Sequence, residues 1–228
     1  MSALVDLHTH TMLTDGGLCP AELIRRAEVA GYVAFAITDH VDASTVDRIV
    51  PALVEAAELE NRRGRILVVP GAELTHVRPE HIPAVAERAR AAGALLVLCH
   101  GETLAEPVMP GTNRAAIEAG VDVLAHPGLI DPDDAKLAAD RNVALELTAK
   151  RGHCYANGHV ARIAAAAGAR LTYGSDGHLP EDLRGLDEVL AILRGAGLDA
   201  DAAEAVLAES ERLLRTRDAQ RDRQDDPL

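Results

Sequence analysis

The sequence predicts an α/β protein: a distorted seven-stranded (β/α) barrel with its active site at the C-terminal ends of the strands. Three observations carry this. Short apolar runs without polar alternation recur along the chain, which implies strands buried on both faces. Between them lie stretches of helical period joined by short connections, which implies parallel strands. And one strand after another ends in a histidine or a carboxylate. An open doubly wound sheet is the other architecture compatible with the pattern.

Taken in order, Val5 and Leu7 end the first strand, and the extended backbone turns His8 and His10 to one side. A loop carrying Asp15 leads to a helix opened by Pro20 and closed by Gly31. Val33–Ile37 is the second strand, followed by Thr38-Asp39-His40. Pro51 is expected to start the next helix, which runs to about Arg63. Ile66–Val69 leads into Pro70-Gly71-Ala72-Glu73. A helix from Val85 to Ala92 and a strand from Ala94 to Cys99 follow, and His100 ends that strand. A long loop from Gly101 to Gly111 precedes a helix at Thr112–Ala119. Val121–Ala125 then meets His126-Pro127-Gly128. Asp131-Pro132 opens a helix. Strand six, Val143–Leu147, is the one strand whose end offers no ligand-type residue. The helix from Asn157 to Ala167 leads to strand seven, Arg170–Tyr173, and to Gly174-Ser175-Asp176-Gly177-His178. Helices near 180–194 and 200–217 close a single domain spanning 1–217. The charged stretch 218–228, free of aromatics, reads as a disordered tail.

Composition narrows the function. The chain has 228 residues, enough for one such barrel, and a formal net charge of −13. That charge argues against nucleic acid or an anionic membrane as partner, but not against an anionic small molecule once metal ions reverse the local field. Aromatics make up only 2%, so the core must be Ala, Leu, Val and Ile, and base-stacking platforms are scarce. Three cysteines, Cys19, Cys99 and Cys154, fit reduced thiols in a cytoplasmic protein. No apolar run reaches membrane-spanning length, and the N-terminus shows no signal-peptide pattern.

In a parallel barrel the strand ends converge, bringing His8, His40, Glu73, His100, His126 and Asp176 together with the loop residues His10, Asp15 and His178. Nitrogen and oxygen donors in that number suit two or three divalent ions such as Zn, Mn or Fe. His76, His81 and His159 follow no strand directly and are assigned to loops or solvated faces; His153 is intermediate.

The motifs VDLHTH at 5–10, TDH at 38–40, GAE at 71–73, the His100 strand end, AHPG at 125–128 and GSDGH at 174–178 resemble the PHP (polymerase and histidinol phosphatase) superfamily, from about residue 4 to about residue 180. The resemblance implies a metal-dependent phosphoesterase acting on a small phosphomonoester, like stand-alone histidinol-phosphatase members. In it, water activated between two ions attacks phosphorus in line. It implies that His8, His10 and Glu73 with Asp176 hold one ion and that Asp15, His40 and His178 hold another, with Glu73, His100 and His126 completing the set. Asp176 and His178 are the expected catalytic pair. Many relatives carry His where this chain has Asp15, a change that favours harder metals. Arg151, Arg114 and the N–H groups of the helix start at Thr112 are candidate phosphate donors, and Glu102 is a candidate for orienting a ligand or the substrate. Three other readings stand beside this one. The first is a phosphodiesterase or exonuclease, and the second a non-catalytic metal-binding module. The third is an amidohydrolase-type enzyme, which would need a late metal-bridging lysine; only Lys136 and Lys150 are available, and neither is placed for it.

Overall fold

Every strand of the sheet is parallel and runs through the middle of the molecule. The computed structural model describes residues 3–224. The strands are β1 (Val5–Asp6), β2 (Ala34–Ile37), β3 (His40–Val41), β4 (Leu67–Leu74), β5 (Leu96–His100), β6 (Val123–Ala125), β7 (Ala144–Thr148) and β8 (Leu171–Gly174). The helices are α1 (Pro20–Ala30), α2 (Val46–Asn61), α3 (Ile82–Ala91), α4 (Thr112–Glu118), α5 (Pro132–Arg141), α6 (Asn157–Ala167), α7 (Leu186–Gly195) and α8 (Ala200–Gln224). Seven strands follow one another in the order β1-β2-β4-β5-β6-β7-β8, as the alternating pattern predicts. β3 lies off that path: β2 breaks at Thr38-Asp39 and resumes as β3, which pairs with the far end of β4 in the register His40↔Glu73. The break delivers His40 beside Glu73.

The ring closes at β1 and β8 through one parallel bridge, Thr9↔Gly177, with the His10 amide donating to the Gly177 carbonyl at 2.9 Å. Side chains satisfy the backbone where a ladder is missing. The buried Asp6 carboxylate accepts from the amides of His8 (3.1 Å) and Ser175 (2.9 Å), and Ser210 of α8 accepts from the Tyr173 amide at 2.9 Å. Orphaned buried amides cost enough that such substitutes are required. α8 packs across β8, β1, β2 and β4 and so covers this weaker seam. The core is aliphatic, with Phe35 and Tyr173 its largest aromatics.

Several boundaries differ from the sequence reading: β4 runs on past Val69 through Glu73 to Leu74, and the helix expected near 180–194 begins at Leu186. α2 begins at Val46, so Pro51 lies inside the helix. The Asp42 carboxylate accepts from the amides of Ser44 and Thr45 and sets the earlier start, and burial of Val46, Ile49, Val50 and Leu53 offsets the bond Pro51 cannot donate. α8 continues to Gln224, so the first seven residues of the stretch read as a tail are helical; 225–228 lie outside the described residues. Among the described residues no helix is long and apolar enough to cross a membrane.

Candidate metal centre

Glu73, at the end of β4, is the hub of the site. Its fully buried carboxylate lies 3.4 Å from His8 Nε2, 3.7 Å from His10 Nε2, 2.7 Å from His40 Nδ1, 3.3 Å from His100 Nδ1 and 3.4 Å from His126 Nε2. Asp176 closes one side, 3.3 Å from His10 Nε2 and 3.7 Å from His126 Nε2. Asp15 reaches in from the loop after β1, 3.4 Å from His40 Nε2 and 3.2 Å from His178 Nε2. All nine residues expected at the strand ends and in their loops are therefore brought together. Eight of them, all but Asp176, fall into groups whose donor atoms lie within 4.8 Å of one another: His8, His10 and Glu73; His10, Asp15, His40 and His178; Glu73, His100 and His126.

The local sequence sets these positions. Asp39 accepts from the Thr11 amide and from the hydroxyls of Thr11 and Thr14, which fastens the loop that carries Asp15. A Cβ on Gly16 would lie 2.3 Å from the His10 carbonyl oxygen, so only glycine allows this return of the chain. His126 and Asp176 adopt positive φ (30° and 53°), a sparsely populated backbone for such residues and one that clusters at functional sites.

The donor set fits divalent cations. Atoms bound at about 2.1 Å in a tetrahedron sit about 3.4 Å apart, which is the spacing found here. Apart from the 2.7 Å contact of His40 Nδ1, the separations around Glu73 are too long for good hydrogen bonds, and His8 Nε2, Glu73 Oε1 and both ring nitrogens of His10, His100 and His126 are buried without a hydrogen-bond partner. Charge agrees. Burial works to raise the Glu73 carboxyl, yet His8, His40, His100 and His126 hold it well below the usual carboxylate range; burial likewise opposes Asp176, and the histidines around it keep it low. Burial lowers His10 to about 3, which keeps it a neutral donor.

Strand six requires a correction. The residue after β7 contributes no ligand-type group, but Glu146 within it does. Its Oε1 lies 2.8 Å from His8 Nδ1 and its Oε2 accepts the His126 amide at 3.0 Å, in full burial. A carboxylate so engaged accepts a hydrogen bond from Nδ1–H and leaves His8 Nε2 facing Glu73. Gly174 makes room for the pair, since a Cβ there would lie 2.1 Å from Glu146 Oε1. The signal was a lone charge in an otherwise apolar strand, which must be paired when buried.

The loops add more. His153 is buried, stacks on His126 at 4.3 Å between ring centroids and hydrogen-bonds Thr103 Oγ1 at 2.6 Å. Glu106 lies 3.0 Å from His76 Nε2, 3.4 Å from His100 Nε2 and 3.4 Å from His153 Nε2, so His76, read as an ordinary loop residue, belongs to the rim. Lys150, read as misplaced, does reach the centre: its ammonium donates to the Asp176 carbonyl at 3.1 Å and stands 2.7 Å from His178 Nδ1. It stands at the edge, however, while Glu73 occupies the middle. His159 stays outside and hydrogen-bonds the Ile130 carbonyl.

Two expected substrate residues are otherwise employed. Arg114 pairs with Asp134 of α5 at 2.6 Å. Glu102 Oε1 accepts the amides of Gly111 and Asn113, each at 3.0 Å, and so occupies the α4 start that was a candidate for phosphate. Arg151 is exposed in the turn after β7.

Comparison with known proteins agrees with this geometry. A protein of Methanocaldococcus jannaschii described as uncharacterised is 42% identical over 204 residues, covering 89% of this chain and 94% of that protein. A probable phosphatase of Vibrio atlanticus is 28% identical, covering 88% of each. Among solved structures, a chain in archaeal ribonuclease P with mature tRNA superposes with a TM-score of 0.70 at 19% identity over 95% of this chain and 92% of that one. The Lactococcus lactis histidinol phosphate phosphatase, solved with zinc, L-histidinol and phosphate, gives 0.59 at 14% over 86% and 94%. At these identities the two superpositions speak for the fold alone. The PHP domain model matches residues 6–168, and the chain belongs to that family.

Proposed function

We propose that this protein is a metal-dependent hydrolase that removes phosphate from a small phosphomonoester in the cytoplasm. The observation that carries the reading is the sharing of Glu73 between two groups of unpartnered imidazoles, beside a third group built on Asp15. Names of relatives along most of the chain's length, such as the probable phosphatase of Vibrio atlanticus, support it. So do Cys19, Cys99 and Cys154, all unpaired, for the compartment.

His8, His10 and Glu73 with Asp176 would hold one divalent ion, Asp15, His40 and His178 a second, and Glu73, His100 and His126 a third, with Zn, Mn or Fe the candidates. Divalent ions held by these residues would supply positive charge for phosphoryl oxygens and lower the pKa of bound water. The chain's own contribution is orientation. Glu146 fixes the proton of His8 on Nδ1 and so turns Nε2 toward Glu73. Lys150 and Arg151 follow β7 and supply positive charge for the phosphoryl group. The acidic surface disfavours nucleic acid as substrate.

The test is the rate on p-nitrophenyl phosphate against its bis-ester, after loading with Mn, Zn or Fe separately. Faster turnover of the monoester is expected. Faster turnover of the diester would make the protein a phosphodiesterase, and no turnover of either would favour a binding module.

A further inference from the structure

The mouth of the barrel is lined by apolar side chains. Among the described residues ten large hydrophobic side chains are strongly exposed, and seven of them stand in the loops that follow strands. They include Met12, Leu104, Met109, Leu129, Tyr155 and Leu179, with Leu129 62% and Tyr155 70% exposed. Scattered exposed hydrophobics are ordinary, but this concentration on one face is not. Four lie within three residues of a histidine of the centre or its rim: Met12 two after His10, Leu129 three after His126, Tyr155 two after His153, Leu179 next to His178. The loops also touch. A Cβ on Gly17 would lie 2.9 Å from the Leu179 side chain, and one on Gly152 3.1 Å from Ala105. The apolar positions therefore form a rim around a strongly polar floor.

A substrate whose phosphoryl group reaches Glu73 and its histidines must carry the rest of its body across that rim. Carboxylates of Asp15 and Glu106 stand there as well, and the cations after β7, Lys150 and Arg151, are taken by the phosphoryl group in the reading above, so a second phosphate or other anionic body meets repulsion. We propose, on the basis of the phosphoesterase reading, that the substrate's leaving group is an uncharged and largely apolar body that packs on Leu129 and Tyr155, rather than a polyhydroxylated sugar or a polynucleotide.

Ethyl and hexyl phosphate test this, because both leave as primary alkoxides and differ only in apolar length. The metal-loaded protein should favour hexyl phosphate by about tenfold or more in kcat/KM, and hexylphosphonate should bind more tightly than ethylphosphonate by calorimetry. In the Leu129→Ser/Tyr155→Ser double variant that ratio should fall toward one with metal content unchanged. Equal turnover of both esters by the wild type would overturn the inference while leaving the phosphoesterase reading intact; turnover of neither would remove both. A preference that survives in the double variant would also overturn it. So would a dimer that the substitutions dissociate without changing the ratio, which would make the rim a contact between copies.

Discussion

The two sides of the metal-type cluster are built differently. On one side His8, His10, Glu73 and His126 are almost wholly enclosed, and Glu146 behind them hydrogen-bonds both a ring nitrogen and a backbone amide. On the other, Asp15 comes from a loop with its side chain 55% exposed, and His40 and His178 are 25% and 16% exposed. The buried side is held in place by strands and by hydrogen bonds made before any ion arrives. The open side takes Asp15 from a loop fastened by Asp39, and adds His40 from the short β3 and His178 from the loop after β8. We read the buried groups as tight and the open group as exchangeable, because preorganised donors lose less freedom on binding.

The largest effect should come from Glu73→Ala. Removing the shared carboxylate leaves several buried imidazoles facing one another, so we expect loss of at least one ion per chain and of activity. Breaking a buried pair from one side costs about 3–5 kcal/mol, which a drop in thermal midpoint of the metal-free protein would register. Full metal content in this variant would break the comparison at its hub.

Glu146→Gln should come next. The amide keeps the shape but no longer fixes the His8 proton, and metal affinity on the buried side should fall about 10–100-fold. A chelator titration that resolves two classes of ion would show the tight class weakened and the labile class unmoved. Asp15→His sharpens the contrast from the other direction: it should alter only the labile class, shifting preference from Mn toward Zn. Movement of the tight class instead would mean the two sides are one unit.

Arg151→Ala should be smaller and of a different kind. Losing a charge-assisted contact to phosphate costs about 1.5–3 kcal/mol, hence roughly a tenfold to hundredfold loss of kcat/KM, with both classes of ion retained. Unchanged kinetics would pass the phosphate-binding role to Lys150.

What the sequence could and could not disclose follows the same division. The strand-end residues are legible because a parallel barrel sends every strand terminus to one face, so position along the chain is enough to place His8, Glu73 or His126. Glu146 is hidden by its setting. A strand buried on both sides has no alternation to say which way a side chain points, and only the cost of an unpaired charge marks it. Loop residues need the loop's conformation. His76 turns toward Glu106 from a backbone at φ 52°, which spacing does not foretell. Arg114 and Glu102 were plausible beside an open helix start, but α5 supplies Asp134 to the first, and the second caps that helix itself. The length of α8 escaped a reading by composition, since a charged stretch without aromatics reads as a tail although its residues can also continue a helix already begun.

The most direct measurement is elemental analysis of the wild-type protein after reconstitution with Mn, Zn or Fe, repeated after brief exposure to a chelator. The account predicts two or three divalent ions per chain, of which the chelator removes one quickly and the rest slowly. A protein that holds no divalent ion after reconstitution would contradict it.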